Sequence, residues 1–162
     1  MHDADYCDDP AKVKVFEGAA DAIQQLRSQG FKIVIVTNQS GIGRGYMTEE
    51  AYRAVANEFD SQLGRDLIDA TYFCPHSPAD ACACRKPEPG MLRQAAEEHQ
   101  IDLTKSYLVG DKDSDIDCGK RAGTKTVLVQ TGYGPSADHD GPDAVVADIK
   151  SATAFILEDS AK

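Results

Sequence analysis

Short apolar runs alternate with segments of helical periodicity along this chain, and this alternation constrains its fold more than any other feature. Residues 31–37 form a mostly apolar run after Gly30, which is typical of a strand buried on both faces of a sheet. Residues 17–28 carry apolar side chains at helical spacing, and Thr48 followed by two glutamates predicts another helix start. Further strands are predicted at residues 67–73, 106–109, 126–129 and 144–146, and further helices at 48–63, 89–99, 115–122 and 149–158.

Strands that alternate with helices predict an α/β fold with a parallel sheet and right-handed crossovers. Ligands of such open sheets bind outside the carboxyl ends of the strands. Thr37 ends one predicted strand and Asp111 follows another, so we expect the two to face one cleft. The length of 162 residues suits one ordinary domain, and we predict a single domain over residues 1–162, with a loop at 131–143.

The charge balance narrows the class of partner. Seventeen basic and 27 acidic residues give a net charge of −10, which disfavours nucleic acid because a phosphate backbone requires a basic surface. No apolar run approaches the ~20 residues of a membrane span, and the N-terminus is too acidic for a signal peptide. We therefore expect a cytoplasmic monomer that acts on a small phosphorylated molecule through a locally positive site, at Arg85, Lys86 and Lys112.

A cluster of thiol and imidazole residues predicts a zinc site. Cys74, His76, Cys82 and Cys84 fall within eleven positions, and the five-residue spacer lets the chain turn back on itself. Thiolate and imidazole are preferred tetrahedral zinc ligands, and a set without an open position indicates structural zinc. The alternatives are unconnected thiols or a Cys74–Cys82 disulfide, which a reducing compartment disfavours.

Asp111 is the candidate magnesium ligand. It follows the apolar run Tyr107-Leu-Val-Gly110, where Gly110 permits a close backbone approach, and Mg²⁺ takes one or two protein carboxylates. Asp115 lies one helical turn further on and could support Asp111. The alternative is that acids such as Asp113 and Asp115 only cap the following helix.

Two further stretches have groups suited to phosphate. Thr37-Asn38-Gln39 opens a glycine-punctuated loop whose hydroxyl, amide and backbone N–H groups can bind phosphoryl oxygens, although a plain turn would have the same composition. Arg85-Lys86 follows the predicted zinc loop, which would hold these cations in place for charge stabilisation. A solvated basic pair before a Pro-initiated helix is the alternative.

These stretches together resemble a known family. Their order along the chain is similar to that of the haloacid dehalogenase superfamily. The three stretches are Val36-Thr-Asn-Gln-Ser-Gly41, then Cys-Pro-His with Cys-x-Cys-Arg-Lys-Pro-x-Pro-Gly-Met, and then Val109-Gly-Asp-Lys-x-x-Asp115. More narrowly, the order resembles the D-glycero-D-manno-heptose 1,7-bisphosphate phosphatases and the histidinol-phosphate phosphatases. The resemblance covers residues 8–157.

The resemblance implies a Rossmann-like parallel sheet with helices on both faces, no large cap domain, and phosphomonoester hydrolysis through an aspartyl-phosphate. It implies that Thr37 bonds to the phosphoryl group, that Lys86 neutralises charge there, and that Asp111 binds magnesium. The implied substrate-binding residues are Asn38, Gln39, Arg85 and Lys112, and the implied zinc ligands are Cys74, His76, Cys82 and Cys84.

One family element is missing from the sequence. The family begins with a hydrophobic strand ending in Asp-x-Asp-Gly-Thr, whose first aspartate is the nucleophile. Asp3-Ala-Asp5 has the carboxylate spacing, but no strand precedes it and neither Gly nor Thr follows, so acids in a solvated tail are the expected interpretation. We therefore expect that the first, central strand is absent, through an internal start or a truncation, and that the fold is exposed where this strand would lie.

From the resemblance we expect a magnesium-dependent phosphatase acting on a sugar bisphosphate, with the heptose 1,7-bisphosphate as the first candidate, because Pro-Gly-Met follows Lys86. The short metal loop resembles the histidinol-phosphate branch, which is the alternative substrate class. The alternative of another class is a catalytically inactive, zinc-stabilised module that binds phosphoesters.

Overall fold

The computed structural model describes residues 6–132 and 141–162 of the chain. The chain forms two compact units, Met1–Arg85 and Lys86–Lys162, and each contains a parallel β-sheet with helices. Asp3 and Asp5, like residues 133–140 of the predicted loop, lie outside the described residues. Within the described residues, no helix has the length and apolar character needed to cross a membrane.

The first unit is built around a two-stranded sheet. Its helices are α1 (Ala19–Ser28), α2 (Ser40–Gly43) and α3 (Glu49–Leu63), and its strands are β1 (Val34–Asn38) and β2 (Ala70–Cys74). The strands run parallel, with Val34 opposite Ala70 and Asn38 opposite Cys74. Both strands therefore end at the same edge of the sheet.

Strand β1 departs from its prediction in two respects. It begins three residues later than residue 31, because the carboxylate of Asp69 accepts the Ile33 N–H at 2.6 Å just before the strand starts. Its residues are half-buried, so the prediction of a strand buried on both faces is wrong. Among the described residues β1 pairs with β2 alone, which leaves its other edge without a strand partner.

Helix α3 confirms its predicted ends. The hydroxyl of Thr48 accepts the Ala51 N–H at 3.1 Å, and Glu49 and Glu50 lie in the first turn, at the positive end of the helix dipole. The helix ends before Gly64, whose φ of 115° is costly for other residues. Tyr52, Val55 and Leu63 are its buried side chains.

The second unit holds a three-stranded parallel sheet in the order β3-β4-β5. Its strands are β3 (Tyr107–Gly110), β4 (Lys125–Val129) and β5 (Ala144–Val146), and its helices are α4 (Gly90–His99), α5 (Asp113–Ala122) and α6 (Ile149–Ser160). The central strand β4 is the most buried, with Thr126, Val127 and Leu128 almost inaccessible. Parallel sheets with intervening helices confirm the predicted α/β class.

Candidate functional site

The four predicted zinc ligands lie together at the end of β2. Cys74, His76, Cys82 and Cys84 each place one ligand atom within 4.8 Å of the others. The Sγ of Cys74 lies 3.6 Å from Nδ1 of His76, 3.5 Å from Sγ of Cys82 and 3.0 Å from Sγ of Cys84. Zn–S bonds of about 2.3 Å separate the corners of a tetrahedral site by about 3.8 Å, so a modest expansion of this cluster fits zinc.

A short turn brings the two ligand pairs together. Ser77 caps a 3₁₀ turn at Pro78–Asp80, and the Asp80 carboxylate accepts the Ser77 N–H at 2.6 Å and its hydroxyl at 2.8 Å. These hydrogen bonds lower the pKa of Asp80 below its ordinary value. Ala81 then adopts φ 43°, in the left-handed region, and the chain reverses toward Cys82. The turn thus orders the loop independently of the ligand side chains.

The thiols are free, and their chemistry fits a cation. All five cysteines of the chain are unbridged, and the 3.5 Å between Cys74 and Cys82 sulfurs far exceeds the about 2.05 Å of a disulfide. Burial, together with a hydrogen bond to Cys84, raises the pKa of Cys74 to about 12. For Cys82, burial acts in the same direction, but hydrogen bonds from Cys84 and the Arg85 backbone outweigh it and bring the pKa to about 7. Zinc binds thiolates, and its charge would let the Cys74 thiol ionise.

The loop after β1 packs on the Cys/His loop within the same unit. Backbone N–H groups of Gln39 and Gly43 donate to the carbonyls of Cys74 (2.7 Å) and Pro75 (2.8 Å). A Cβ at Gly43 would stand 2.7 Å from the Pro75 oxygen, so glycine permits this contact. The side-chain amide of Gln39 donates to the Thr37 hydroxyl at 3.1 Å. Thr37, Asn38 and Gln39 therefore lie where the two loops meet.

Arg85 ends the first unit and contacts the Cys/His loop. Its guanidinium donates to the His76 carbonyl at 3.3 Å. The contact connects Arg85 to this loop, and the role of the loop in holding the two cations for charge stabilisation stays a prediction.

In the second unit, the Asp115 carboxylate joins the predicted functional residues. Its Oδ1 lies 2.6 Å from Nζ of Lys86, and both side chains are largely buried, at 7% and 13% exposure. Its Oδ2 accepts the backbone N–H groups of Asp111 at 3.2 Å and Lys112 at 3.1 Å. One buried carboxylate thus ties the predicted cation to the backbone of the predicted magnesium ligand.

The sequence indicates Asp115 only as a supporting or capping acid, and its central position is the main feature that the sequence does not reveal. Its side chain also occupies the space beside Gly110, where an added Cβ would stand 2.4 Å from Oδ2 of Asp115. Gly110 therefore makes room for Asp115, in addition to any approach of a ligand. A carboxylate four residues after Asp111, in the first turn of α5, was the available signal.

Cys118 is a buried thiol near this ion pair. Its Sγ donates to the Glu88 carbonyl at 3.5 Å. Burial raises its pKa to about 11, with opposing smaller effects from Lys86 and Asp115.

The predicted cleft shared by Thr37 and Asp111 involves residues of different units and stays a prediction.

The described geometry can do two things chemically. The first unit can hold one zinc ion with a complete ligand set. In the second unit, Asp111 follows a strand directly, and its backbone N–H donates to Asp115, whose carboxylate also contacts the buried ammonium group of Lys86. A strand-end carboxylate and a buried cation that are both connected to Asp115 suit magnesium and phosphate chemistry, since Mg²⁺ uses few protein ligands. Parallel strands with this site define the class of haloacid dehalogenase-like hydrolases, and the family described as HAD-hydrolase-like matches residues 83–152.

Comparisons with individual proteins narrow the class. The chain is 41% identical over 112 residues to a protein of Thermoplasma volcanium named probable D-glycero-D-manno-heptose-1,7-bisphosphate 7-phosphatase, covering 68% of this chain and 77% of that protein. It is 46% identical over 134 residues to the D-glycero-beta-D-manno-heptose-1,7-bisphosphate 7-phosphatase of Yersinia pestis, covering 75% and 70%. The crystal structure of the D,D-heptose 1,7-bisphosphate phosphatase of B. bronchiseptica, complexed with magnesium and phosphate, matches with a TM-score of 0.88 and 33% identity, over 98% of this chain and 92% of that one. The chain belongs to the D-glycero-D-manno-heptose-1,7-bisphosphate 7-phosphatase family, which confirms the resemblance.

Proposed function

We propose that this protein is a magnesium-dependent phosphatase that removes the 7-phosphate of D-glycero-D-manno-heptose 1,7-bisphosphate. The observation that carries the proposal is the match to the B. bronchiseptica phosphatase with magnesium and phosphate, at a TM-score of 0.88 over 98% of this chain. Relatives that are 40–46% identical bear the same activity in their names. These names favour the heptose bisphosphate over histidinol phosphate.

We assign the catalytic roles to Thr37, Lys86 and Asp111. The Thr37 hydroxyl, oriented by Gln39, would donate to a phosphoryl oxygen. Lys86 would stabilise negative charge that develops on the phosphoryl group, and its buried contact with Asp115 supports this role, because a preoriented cation need not reorganise during the reaction. Asn38, Gln39, Arg85 and Lys112 are assigned to substrate binding.

Two metals belong to the proposal. Zinc held by Cys74, His76, Cys82 and Cys84 would be structural, because four protein ligands leave no open position in a tetrahedral zinc site. Magnesium held by Asp111 would supply charge neutralisation at the phosphate when bound. The backbone of Asp111 is held by Asp115, which keeps this carboxylate at the end of β3.

The sequence contains no Asp-x-Asp-Gly-Thr motif, so none of the residues assigned a role here is the nucleophile. The proposal therefore concerns the binding and charge-stabilising part of the site. It further takes the protein to be a cytoplasmic monomer with one catalytic domain and no nucleic-acid or membrane partner. Its five free cysteines support a reducing compartment.

The test is a phosphate-release assay with magnesium on heptose 1,7-bisphosphate and on histidinol phosphate. It is run with the 162-residue chain and with the same chain fused at its N-terminus to a hydrophobic strand ending in Asp-x-Asp-Gly-Thr. Preferential release from the heptose bisphosphate by either form supports the proposal. Preferential release from histidinol phosphate would overturn the substrate assignment, and phosphate binding without turnover by both forms would favour the non-catalytic module.

A further inference from the structure

We propose that Gly132 is a positioning residue for the Asp111 carboxylate: the absence of a side chain at residue 132 determines where this carboxylate stands. The inference rests on the proposed function, because that function makes Asp111 the magnesium ligand. It concerns two residues of the second unit, and it adds Gly132 to the residues on which metal binding depends.

The carboxylate of Asp111 lies against the backbone of Gly132. A Cβ built on Gly132 would stand 2.0 Å from Oδ2 of Asp111 and 2.6 Å from both its Cβ and its Cγ. These three atoms belong to the short, stiff Asp111 side chain, so the contact cannot be relieved by bending the end of a flexible chain. A side chain at residue 132 would displace either the carboxylate or the loop after β4.

The topology explains why these residues meet. Strands β3 and β4 are parallel neighbours, with Gly110 opposite Leu128, so the residues that follow them emerge at the same edge of the sheet. Asp111 follows β3 directly. After β4, the backbone N–H of Gln130 donates to the Val146 carbonyl at 3.0 Å, and two residues later Gly132 lies against the Asp111 carboxylate.

The need for glycine at this position comes from Asp111 and not from the local backbone. The φ of Gly132 lies outside the left-handed region, so other residues could adopt its backbone conformation. Gly141 lies on the other side of the same predicted loop, also outside the left-handed region, and an added Cβ there would meet no atom of the described residues within 4 Å. The two glycines therefore form a matched pair that differs in contact with Asp111.

The first experiment measures metal affinity of the zinc-loaded full chain with Mn²⁺ as the paramagnetic substitute for Mg²⁺. Loss of groups that orient a ligand typically weakens metal binding by about 10- to 100-fold, which is the expected effect of Gly132→Ala. Gly141→Ala should leave the Mn²⁺ affinity unchanged, and both variants should retain their zinc. Equal Mn²⁺ affinities of Gly132→Ala and the unsubstituted chain would overturn the inference. Absence of Mn²⁺ binding by the unsubstituted chain would instead overturn the magnesium role of Asp111 in the proposed function, and this inference with it.

A double-mutant cycle tests the contact even if Gly132→Ala folds poorly. Thermal unfolding is compared for the unsubstituted chain, Gly132→Ala, Asp111→Gly, and the double variant. Since Asp111→Gly removes the three atoms that stand nearest to the new Cβ, most of the destabilisation by Gly132→Ala should disappear in the Asp111→Gly background. An equal loss in both backgrounds, or a double variant that fails to fold while Asp111→Gly folds, would overturn the inference.

Discussion

Asp115 satisfies three hydrogen-bond donors with one carboxylate: the Lys86 ammonium and the backbone N–H groups of Asp111 and Lys112. A buried ion pair is weak evidence for net stability, because desolvation offsets the attraction between its charges. Removal of one member has a larger effect, because the remaining charge stays buried without compensation. At this scale, stability and proposed function depend on the same side chain.

We predict that Asp115→Asn lowers the free energy of unfolding by about 3–5 kcal/mol, the range for breaking a buried ion pair. The substitution keeps the shape of the side chain and removes the charge that faces Lys86. Urea denaturation measures the change, and Glu97→Gln on the exposed side of α4 is the control, with an expected effect within about 0.5 kcal/mol. A loss for Asp115→Asn no larger than that of the control would contradict the central position assigned to Asp115.

Lys86 leads to a prediction about turnover. In the form of the chain that releases phosphate, Lys86→Ala should reduce kcat by at least about 10²-fold, because the transition state loses a fixed cation. The zinc content should stay the same, since Lys86 is not a ligand. Lys105→Ala is the matched control, because Lys105 forms an exposed surface pair with Asp102 and should leave kcat unchanged. Unchanged turnover in Lys86→Ala would remove this residue from the mechanism.

At the scale of elements, the Cys74–Cys84 segment joins the end of β2 to the cations that follow. Its turn is ordered by Ser77 and Asp80, and its ligands converge without a disulfide. A loop of this kind has little apolar surface to bury, so we expect a bound metal to add to the order that the turn provides.

We predict about one zinc per purified chain, and a loss of that zinc in Cys84→Ser with a lower midpoint of thermal unfolding. Removing one of four ligands opens the tetrahedral set, and the metal's contribution to folding is lost with it. Elemental analysis and a thermal melt measure the two effects. Cys7→Ser is the control: Cys7 lies outside the cluster, so this variant should retain its zinc. A stable, fully reduced chain without zinc would contradict the assignment.

The link between β4 and β5 leads to a prediction about pH. The Asp143 carboxylate accepts the Thr126 N–H at 2.7 Å and its hydroxyl at 2.8 Å. Burial raises the pKa of Asp143, but these hydrogen bonds outweigh it, and the pKa lies below its ordinary value. Because the folded-state pKa is below the unfolded value of about 3.9, the stabilisation is present above that pH and is lost as the pH falls through the folded-state pKa.

The difference in unfolding free energy between the unsubstituted chain and Asp143→Asn should therefore be larger at pH 7 than at pH 3. Denaturant unfolding at both values measures it. Thr126→Ser keeps the hydroxyl and the N–H, so it should retain the acid dependence of the unsubstituted chain. A difference that does not change with pH would show that Asp143 contributes no charge-dependent stability.

At the scale of the whole molecule, net charge governs association. The chain carries a net charge of −10, and the exposed large hydrophobic side chains among the described residues are Tyr6, Tyr46 and Val145. Like-charge repulsion and little exposed apolar surface disfavour self-association. We predict a monomer, with the mass of one chain by light scattering at low and moderate salt. A stable mass of two chains across both conditions would contradict this.

The alternation of strands and helices was predictable because periodicity, caps and glycines act locally. The start of α3 at Thr48 and the end of α1 before Gly30 follow from residues a few positions away. The start of strand β1 was less predictable, because it depends on Asp69, which is far away in the sequence. The Asp69 carboxylate accepts a hydrogen bond from the Ile33 N–H, and the strand begins after this residue. Burial of β1 was also mispredicted, since it depends on which strands pair beside it.

The sequence by itself determined the α/β pattern and the members of the candidate metal-binding cluster, because four thiol and imidazole side chains in one short loop lie close together in most arrangements of that loop. Only the tertiary structure decided that Lys86 pairs with Asp115 and that Gly132 lies on Asp111. These contacts join the ends of different strands and helices, and their existence depends on sheet register and chain direction. Side-chain type and spacing are local properties, whereas register is a property of the folded molecule.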